Sequence, residues 1–289
     1  HLVEAAMVTD VIDAFEAAEE PAAMAVIERE DPSKYGAVRL VDGRITAITE
    51  KPASDEYRLI NAGIYAFDAS IFEAIDRTPR QDGELALTDT IARLVAENCV
   101  RGIHVDGLWV DATYPWDLLE VTERVLEHGR VPEPSRAESV WVDPTARIHE
   151  TATLEPPVVV SADCEVGPGT TIGPNVALGR NATVGSNVTV VRSVVETDGR
   201  VGHGGTLVDA VLGQNVTLGV DATIPGGLAD VRVDREIYEA QRLGAVLADR
   251  VRADGGVTFD PGTLVGPGAT IDTGVTVGGH VPSGAEVVR

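Results

Sequence analysis

The residues best suited to chemistry lie in four short segments: Pro32-Ser33-Lys34-Tyr35-Gly36, Glu50-Lys51-Pro52, Asn61-Ala62-Gly63-Ile64-Tyr65 and Trp109-Val110-Asp111-Ala112-Thr113-Tyr114-Pro115-Trp116. Lys51 is one of two lysines, with Lys34, in a chain that otherwise uses arginine. A compact ammonium at a strand end suits contact with a phosphate; the alternative is a solvated surface lysine. Glu50 points to the other face of an extended strand, and a turn into Pro52 brings both side chains into one pocket. Asn61 offers a donor and acceptors together, which suits a pair of ligand hydroxyls, or else caps a strand end. Gly36 and Gly63 let a ligand approach the main chain closely, although a turn alone also explains Gly36. Tyr65 shares a strand face with Gly63 and either lines the same pocket or packs into the core. Asp111 ends the apolar run Leu108-Trp109-Val110, a place where α/β sheets present acids to ligands; capping of the next helix is the alternative.

These residues need a sheet to hold them. Residues 1 to about 130 show no repeat and mix strand and helix signals. Ala22–Glu28 reads as a strand, Ala37–Val41 and Ile45–Ile48 as a hairpin across Asp42-Gly43-Arg44, and Ile60–Phe67 as a strongly apolar strand. Helices are predicted from Ser70, a plausible N-cap, to Ile75, over Leu85–Glu97 and over Trp116–Glu127. The pattern is α/β around a mixed sheet.

From about Val142 the character changes. Ile148, Leu154, Val160, Val166, Ile172, Leu178, Val184 and Val190 recur every six residues, and several are followed by glycine. Six is the hexapeptide period of a parallel β-helix, in which each short strand turns one aliphatic side chain inward. Asn175, Asn181 and Asn187 suit the corners, where positive φ is required. A continuous aliphatic column needs few aromatics, in keeping with an aromatic content of 4%. The phase slips near Val195, resumes at Leu212, Leu218 and Ile224, and returns after an insert as Phe259, Val265, Ile271 and Val277. The predicted organisation is a first domain over 1–130, a linker over 131–138 and a β-helix over 139–289 interrupted at about 226–256. That insert carries a possible short helix at Ile237–Ala240 and is either a plain loop or a flap or oligomer contact.

Forty-six acidic residues against 23 basic ones give a net charge of −23, which argues against nucleic-acid binding. Such a surface, nearly without lysine, reads as adaptation to a salt-rich cytoplasm, where screening relieves self-repulsion. Cys99 and Cys164 fit neither a disulfide framework nor a zinc site and read as core thiols in a reducing cytosol. No apolar run approaches the ~18 residues of a membrane span. His1-Leu2-Val3-Glu4 opens without a Met or a signal-peptide pattern, so the chain is expected to begin inside a longer parent.

In order and spacing, the four segments together resemble the sugar-binding half of the sugar-1-phosphate nucleotidylyltransferases. Gly83-Glu84-Leu85, Leu87-Thr88-Asp89 and the hexapeptide tail fit the same family, nearest to archaeal glucose-1-phosphate thymidylyltransferase-type enzymes. The resemblance implies an incomplete Rossmann-like nucleotidyltransferase domain and a left-handed β-helix. It places Lys51 on the phosphate of a sugar 1-phosphate and gives Glu50, Asn61, Gly36, Gly63 and Tyr65 to the sugar. Asp111 would bind Mg²⁺ with a second aspartate upstream, although Thr113 stands where the family usually has glycine. The implied reaction joins dTTP or UTP to glucose 1-phosphate or N-acetylglucosamine 1-phosphate and releases pyrophosphate. A cytoplasmic homo-oligomer built through the β-helix is the expected assembly.

The family's glycine-rich nucleotide-binding loop and its Asn-Gly-Asp turn have no counterpart before Pro32. The expectation is therefore an N-terminally truncated copy, inactive alone. A short paralogue serving as an assembly or regulatory subunit is the alternative. His203, in Val201-Gly202-His203-Gly204-Gly205, resembles the acetyltransferase base of bifunctional relatives, but Thr206 replaces their tyrosine. A plain solenoid corner is the other reading of that histidine.

Overall fold

The computed structural model describes residues 1–29, 32, 35–50, 52, 57–80, 85–233 and 235–289, so Lys34, Lys51, Gly83 and Glu84 lie outside the described residues. Contacts divide the chain into two compact units, His1–Val110 and Asp111–Arg289.

The first unit runs β1 (Leu2–Val3), α1 (Ala5–Glu16), β2 (Ala22–Glu28), β3 (Gly36–Val41), β4 (Arg44–Glu50), β5 (Leu59–Phe67), α2 (Ser70–Asp76), α3 (Leu87–Ala96), β6 (Val100–His104) and β7 (Trp109–Val110). Five strands close on one another in the order β2-β5-β3-β4-β6; β2 and β6 are parallel and the other pairs antiparallel. β2 is an unbroken apolar run because it is covered on both sides. Ala23, Ala25 and Ile27 pack under Met7 and Val11 of α1, while Ala22, Met24 and Val26 pack under Ile91 and Val95 of α3. The hairpin turn at Asp42-Gly43 has φ of 50° and 77°, which Asp and Gly tolerate. Two details depart from the sequence reading. The sequence pattern predicts no helix at α1, because Val8 and Ile12 on its open side blur the one-sided apolar pattern. Ser70 is not the N-cap of α2: Asp68 accepts from both its N–H (2.8 Å) and its hydroxyl (2.5 Å).

The second unit opens with a loop and α4 (Asp117–Glu127), followed by a strand, Ser135–Ala137, antiparallel to Val140–Val142. Beyond it the chain winds, among the described residues, into a parallel β-helix with sheets of eight, seven and eight parallel strands, the last carrying Ser135–Ala137 as its antiparallel edge. A full coil takes 18 residues, since Val158 pairs with Val176 and Thr153 with Thr171. The residues spaced by six form one buried column, from Val160 and Val166 through Ile172, Leu178, Val184 and Val190 to Leu212, Leu218 and Ile224. Asn175, Asn181 and Asn187 occupy the corners with φ of 58°, 57° and 55°. The slip near Val195 is a corner shortened by one residue: Leu178 pairs with Val195 and Val190 with Leu207, 17 residues on.

The interruption is an antiparallel hairpin, Leu228–Val233 with Glu236–Arg242, so the segment at 237–240 is strand and not helix. The coil resumes at Ala245–Leu247, with Leu247 beside Leu212 and Ala253 beside Leu218. Ala253, a small side chain in the column, conceals that return in the sequence. The strands Ser193–Val195, Ala210–Leu212 and Ala245–Leu247 are buried at all three residues, whereas Val158–Val160 and Val176–Leu178 alternate. Their outward members Val194, Val211 and Val246 are covered by Trp116 and Leu119, together with Val231 and Leu243 at the hairpin. Asp209, 2% exposed at its side chain, anchors the hairpin base: it accepts from Arg192 Nε (2.5 Å), Arg242 Nε (3.3 Å) and Gly227 N–H (3.4 Å).

Candidate functional site

Three predicted ligand residues come together on adjacent strands of the first unit. Gly36, at the start of β3, lies in register with Glu50 at the end of β4. A side chain built on Gly36 would place its Cβ 3.3 Å from Glu50 Oε2 and 3.9 Å from Asn61 Cβ. Gly36 therefore leaves room between the Glu50 carboxylate and the base of the Asn61 side chain.

β5 is not a regular strand at this point. Against β2, Asn61 pairs with Val26 and Tyr65 with Met24, so Ala62, Gly63 and Ile64 stand opposite Ala25 alone. This bulge is made possible by Gly63, whose φ is 75°, and it shortens the path from Asn61 to Tyr65. Asn61 Oδ1 accepts the Gly63 N–H at 2.9 Å, and Asn61 Nδ2 donates to the Tyr65 hydroxyl at 2.5 Å. Burial pushes the Tyr65 phenol above its ordinary value; the Asn61 hydrogen bond opposes the shift and the Glu50 charge adds to it. Gly36, Glu50, Asn61, Gly63 and Tyr65 thus form one polar cluster, with Glu50 and Gly63 open to solvent. The predicted phosphate ligand, Lys51, lies outside the described residues.

The back of this cluster is held by Trp109, which is 5% exposed. Its indole N–H donates to the Ala62 carbonyl at 2.9 Å, inside the bulge. Arg29 lies 4.9 Å over the Trp109 ring and donates through Nη2 to the Trp109 carbonyl at 2.8 Å. Tyr35 meets the same ring edge-on at 5.5 Å. Arg29 carries no sequence signal, since a lone arginine after an apolar strand belongs to no motif.

Asp111 belongs to the second unit. Its Oδ1 accepts the Thr113 hydroxyl at 3.0 Å, so Thr113 supplies a hydrogen bond where glycine has none to give. Asp117, not Asp111, ties the loop to α4: its Oδ2 accepts the N–H groups of Thr113 (2.8 Å) and Tyr114 (2.7 Å). Burial raises the pKa of Asp117 against those bonds, and the Asp111 charge adds to the rise. Among the described residues no three His, Cys, Asp or Glu side chains gather as a metal site. Asp111 offers a carboxylate to a divalent cation, which in such sites takes most of its other oxygens from substrate phosphates and water.

His203 is exposed on the β-helix. Its Nδ1 accepts the Ser186 N–H at 2.8 Å, which puts the hydrogen of the neutral ring on Nε2. Cys164 is buried, with its thiol pushed up to about 11 by burial, and is chemically inert. No helix among the described residues is long and apolar enough to cross a membrane.

Comparison with known proteins matches each part of the chain to a family model. Residues 1–128 match the family model described as nucleotidyl transferase, and residues 157–260 match the GMPPB C-terminal domain. The chain is 31% identical over 270 residues to the bifunctional protein GlmU of Methanocaldococcus jannaschii, covering 84% of this chain and 63% of that protein. It is 28% identical over 266 residues to the bifunctional sugar-1-phosphate nucleotidylyltransferase/acetyltransferase of Sulfurisphaera tokodaii, covering 81% of this chain and 63% of that one. A low-salt glycan biosynthesis nucleotidyltransferase, Agl11 of Haloferax volcanii, is 35% identical over 123 residues, 42% of this chain and 34% of its own length. The chain spans less than two thirds of the length of each of these relatives.

Proposed function

As a chain of the sugar-1-phosphate nucleotidylyltransferase type, joining a nucleotidyltransferase domain to a parallel β-helix, this protein, we propose, binds the hexose 1-phosphate that accepts a nucleotidyl group in that family's reaction. The donor is dTTP or UTP and the acceptor glucose 1-phosphate or N-acetylglucosamine 1-phosphate. What supports the reading is the convergence of Gly36, Glu50 and Asn61 from three adjacent strands.

In the proposed step an oxygen of the sugar phosphate attacks the α-phosphorus of the triphosphate. A new phosphorus–oxygen bond forms, the bond from the α-phosphorus to the bridging oxygen breaks, and pyrophosphate leaves. The nucleophile is already anionic, so no base is needed; alignment and charge neutralisation supply the rate. Glu50 accepts from sugar hydroxyls and Asn61 both donates and accepts, while Lys51 meets the phosphate. The partners proposed are the two substrates and further copies of the chain, in the cytoplasm. A divalent cation shared between Asp111 and the triphosphate is part of the family resemblance, and the described residues supply only a fraction of its ligands.

Calorimetric titration of the protein with glucose 1-phosphate, N-acetylglucosamine 1-phosphate and inorganic phosphate tests the reading. A hexose 1-phosphate should bind more tightly than phosphate; absence of any such preference overturns it.

A second reading, acyl transfer on the β-helix, is favoured by the bifunctional names of the relatives. It needs His203 to turn away from the Ser186 N–H before it can act as a base. Acetyl-CoA consumption with glucosamine 1-phosphate, lost in His203→Ala, would support it; no consumption by the parent chain would exclude it.

A further inference from the structure

The Trp109 indole sits behind the Asn61–Gly63 bulge and not in the open cluster itself. The bulge leaves Ala62, Gly63 and Ile64 opposite the single residue Ala25, so the β5 backbone is there without a regular ladder. A buried carbonyl in such a place needs a donor, and the Trp109 indole N–H supplies it to Ala62 at 2.9 Å. Ala62 lies between the two residues whose orientation matters most. Asn61 turns its amide into the cluster, and Gly63 donates its N–H to the Asn61 side-chain oxygen, Oδ1.

Trp109 is itself fixed from the far side. Arg29 donates to its carbonyl at 2.8 Å and to the Glu28 carbonyl at 3.1 Å, and its guanidinium lies 4.9 Å over the indole ring. One half-buried arginine thus holds both the main chain and the ring plane of Trp109, with geometry that a lysine could not reproduce. The stem of the contact is the end of β2, the most deeply buried strand of the unit. The route runs from a rigid strand through Arg29 and Trp109 to the Ala62 carbonyl, and so to Asn61.

We infer that Arg29 and Trp109 form a brace that fixes the Asn61–Gly63 bulge, and thereby set how strictly the site distinguishes sugar hydroxyl patterns. They are positioning residues and touch no substrate atom in this scheme. The inference rests on the sugar 1-phosphate reading of the same cluster.

Its test is a ratio. For the whole chain and for Trp109→Phe, which keeps the ring and removes the N–H, dissociation constants are measured for glucose 1-phosphate, 2-deoxyglucose 1-phosphate and inorganic phosphate. The parent should prefer glucose 1-phosphate over the deoxy sugar, and Trp109→Phe should reduce that preference about fivefold, the scale of one hydrogen bond, while leaving inorganic phosphate affinity unchanged. A merely structural defect would weaken all three ligands together or none. Arg29→Gln should move the ratio in the same direction, and the double variant should lose no more than Trp109→Phe alone. If Trp109→Phe does not fold, Arg29→Gln and the nitrogen-15 indole signal of Trp109, expected to shift on adding glucose 1-phosphate, still decide. A parent without preference for any sugar phosphate over inorganic phosphate overturns the sugar reading, and the brace with it. A parent that discriminates, with both variants discriminating equally well or with a static indole signal, overturns the brace alone.

Discussion

The Asn61 side chain hydrogen-bonds the Tyr65 hydroxyl at 2.5 Å across the bulge in β5, four residues along the same strand. That bond, with the one from Gly63 N–H, holds the Asn61 amide in a single orientation. Asn61→Ala should weaken glucose 1-phosphate binding at least tenfold, the scale of two lost polar contacts. Calorimetric titration together with a thermal melt separates loss of affinity from loss of fold.

Lys51 carries the phosphate in the proposed site. Lys51→Ala should weaken inorganic phosphate and glucose 1-phosphate in equal proportion, roughly tenfold or more for a charge-assisted contact. Asn61→Ala should touch the sugar alone, so the two variants give different ligand profiles. Unchanged phosphate affinity in Lys51→Ala removes that residue from the site.

Asp209, 2% exposed at its side chain, forms a buried pair with Arg192, 15% exposed, and a second pair with the solvent-exposed Arg242. Asp209→Ala leaves Arg192 without its counter-charge and should cost about 3–5 kcal/mol. Denaturant unfolding gives the magnitude. Limited proteolysis should reach the 228–242 hairpin first, because Gly227 and Arg242 lose the same anchor.

Acid should weaken the first unit through Glu20. The hydrogen bond from Arg44, with the charges of Arg44 and Arg101, holds this carboxyl below its ordinary 4.5. A depressed carboxylate stabilises the fold above the unfolded value, and that contribution disappears as pH falls through the folded value. Glu20→Gln should therefore flatten the loss of stability on the acid side of about pH 5 and leave the slope above pH 6 unchanged. Urea midpoints across that range report it.

Salt should act in the opposite sense to its usual effect on ion pairs. With a net charge of −23, raising KCl from about 0.1 M to 2 M shortens the screening length and relieves self-repulsion. The melting temperature should rise over that interval. A flat or falling curve would separate the acidic composition from salt adaptation.

Much of the second unit is written plainly along the chain. Val166, Ile172, Leu178 and Val184 share one spacing and one environment, because each strand pairs with the same strand a coil later. Positions that break the regularity were harder to read. Ala253 fills the column with little volume, and the shortened corners before Val195 and Leu212 shift the phase without changing the winding. The covering of Val194, Val211 and Val246 by Trp116 and Leu119 shows in the sequence only as three short apolar runs with no stated partner.

In the first unit, residue types identified Glu50, Asn61, Gly36, Gly63 and Tyr65 as polar or small groups near strand ends, and a family likeness gave them roles. Their grouping depends on register: Gly36 faces Glu50 only because β3 and β4 pair as they do, and Asn61 reaches Tyr65 only because β5 bulges. Local periodicity fixes which way a side chain turns, and so the sequence alone determined the repeating solenoid and its aliphatic column. Which distant residues meet is set by strand pairing and by hydrogen bonds such as Trp109 to Ala62, forty-seven positions apart. No local pattern encodes these, and only the tertiary structure decided them.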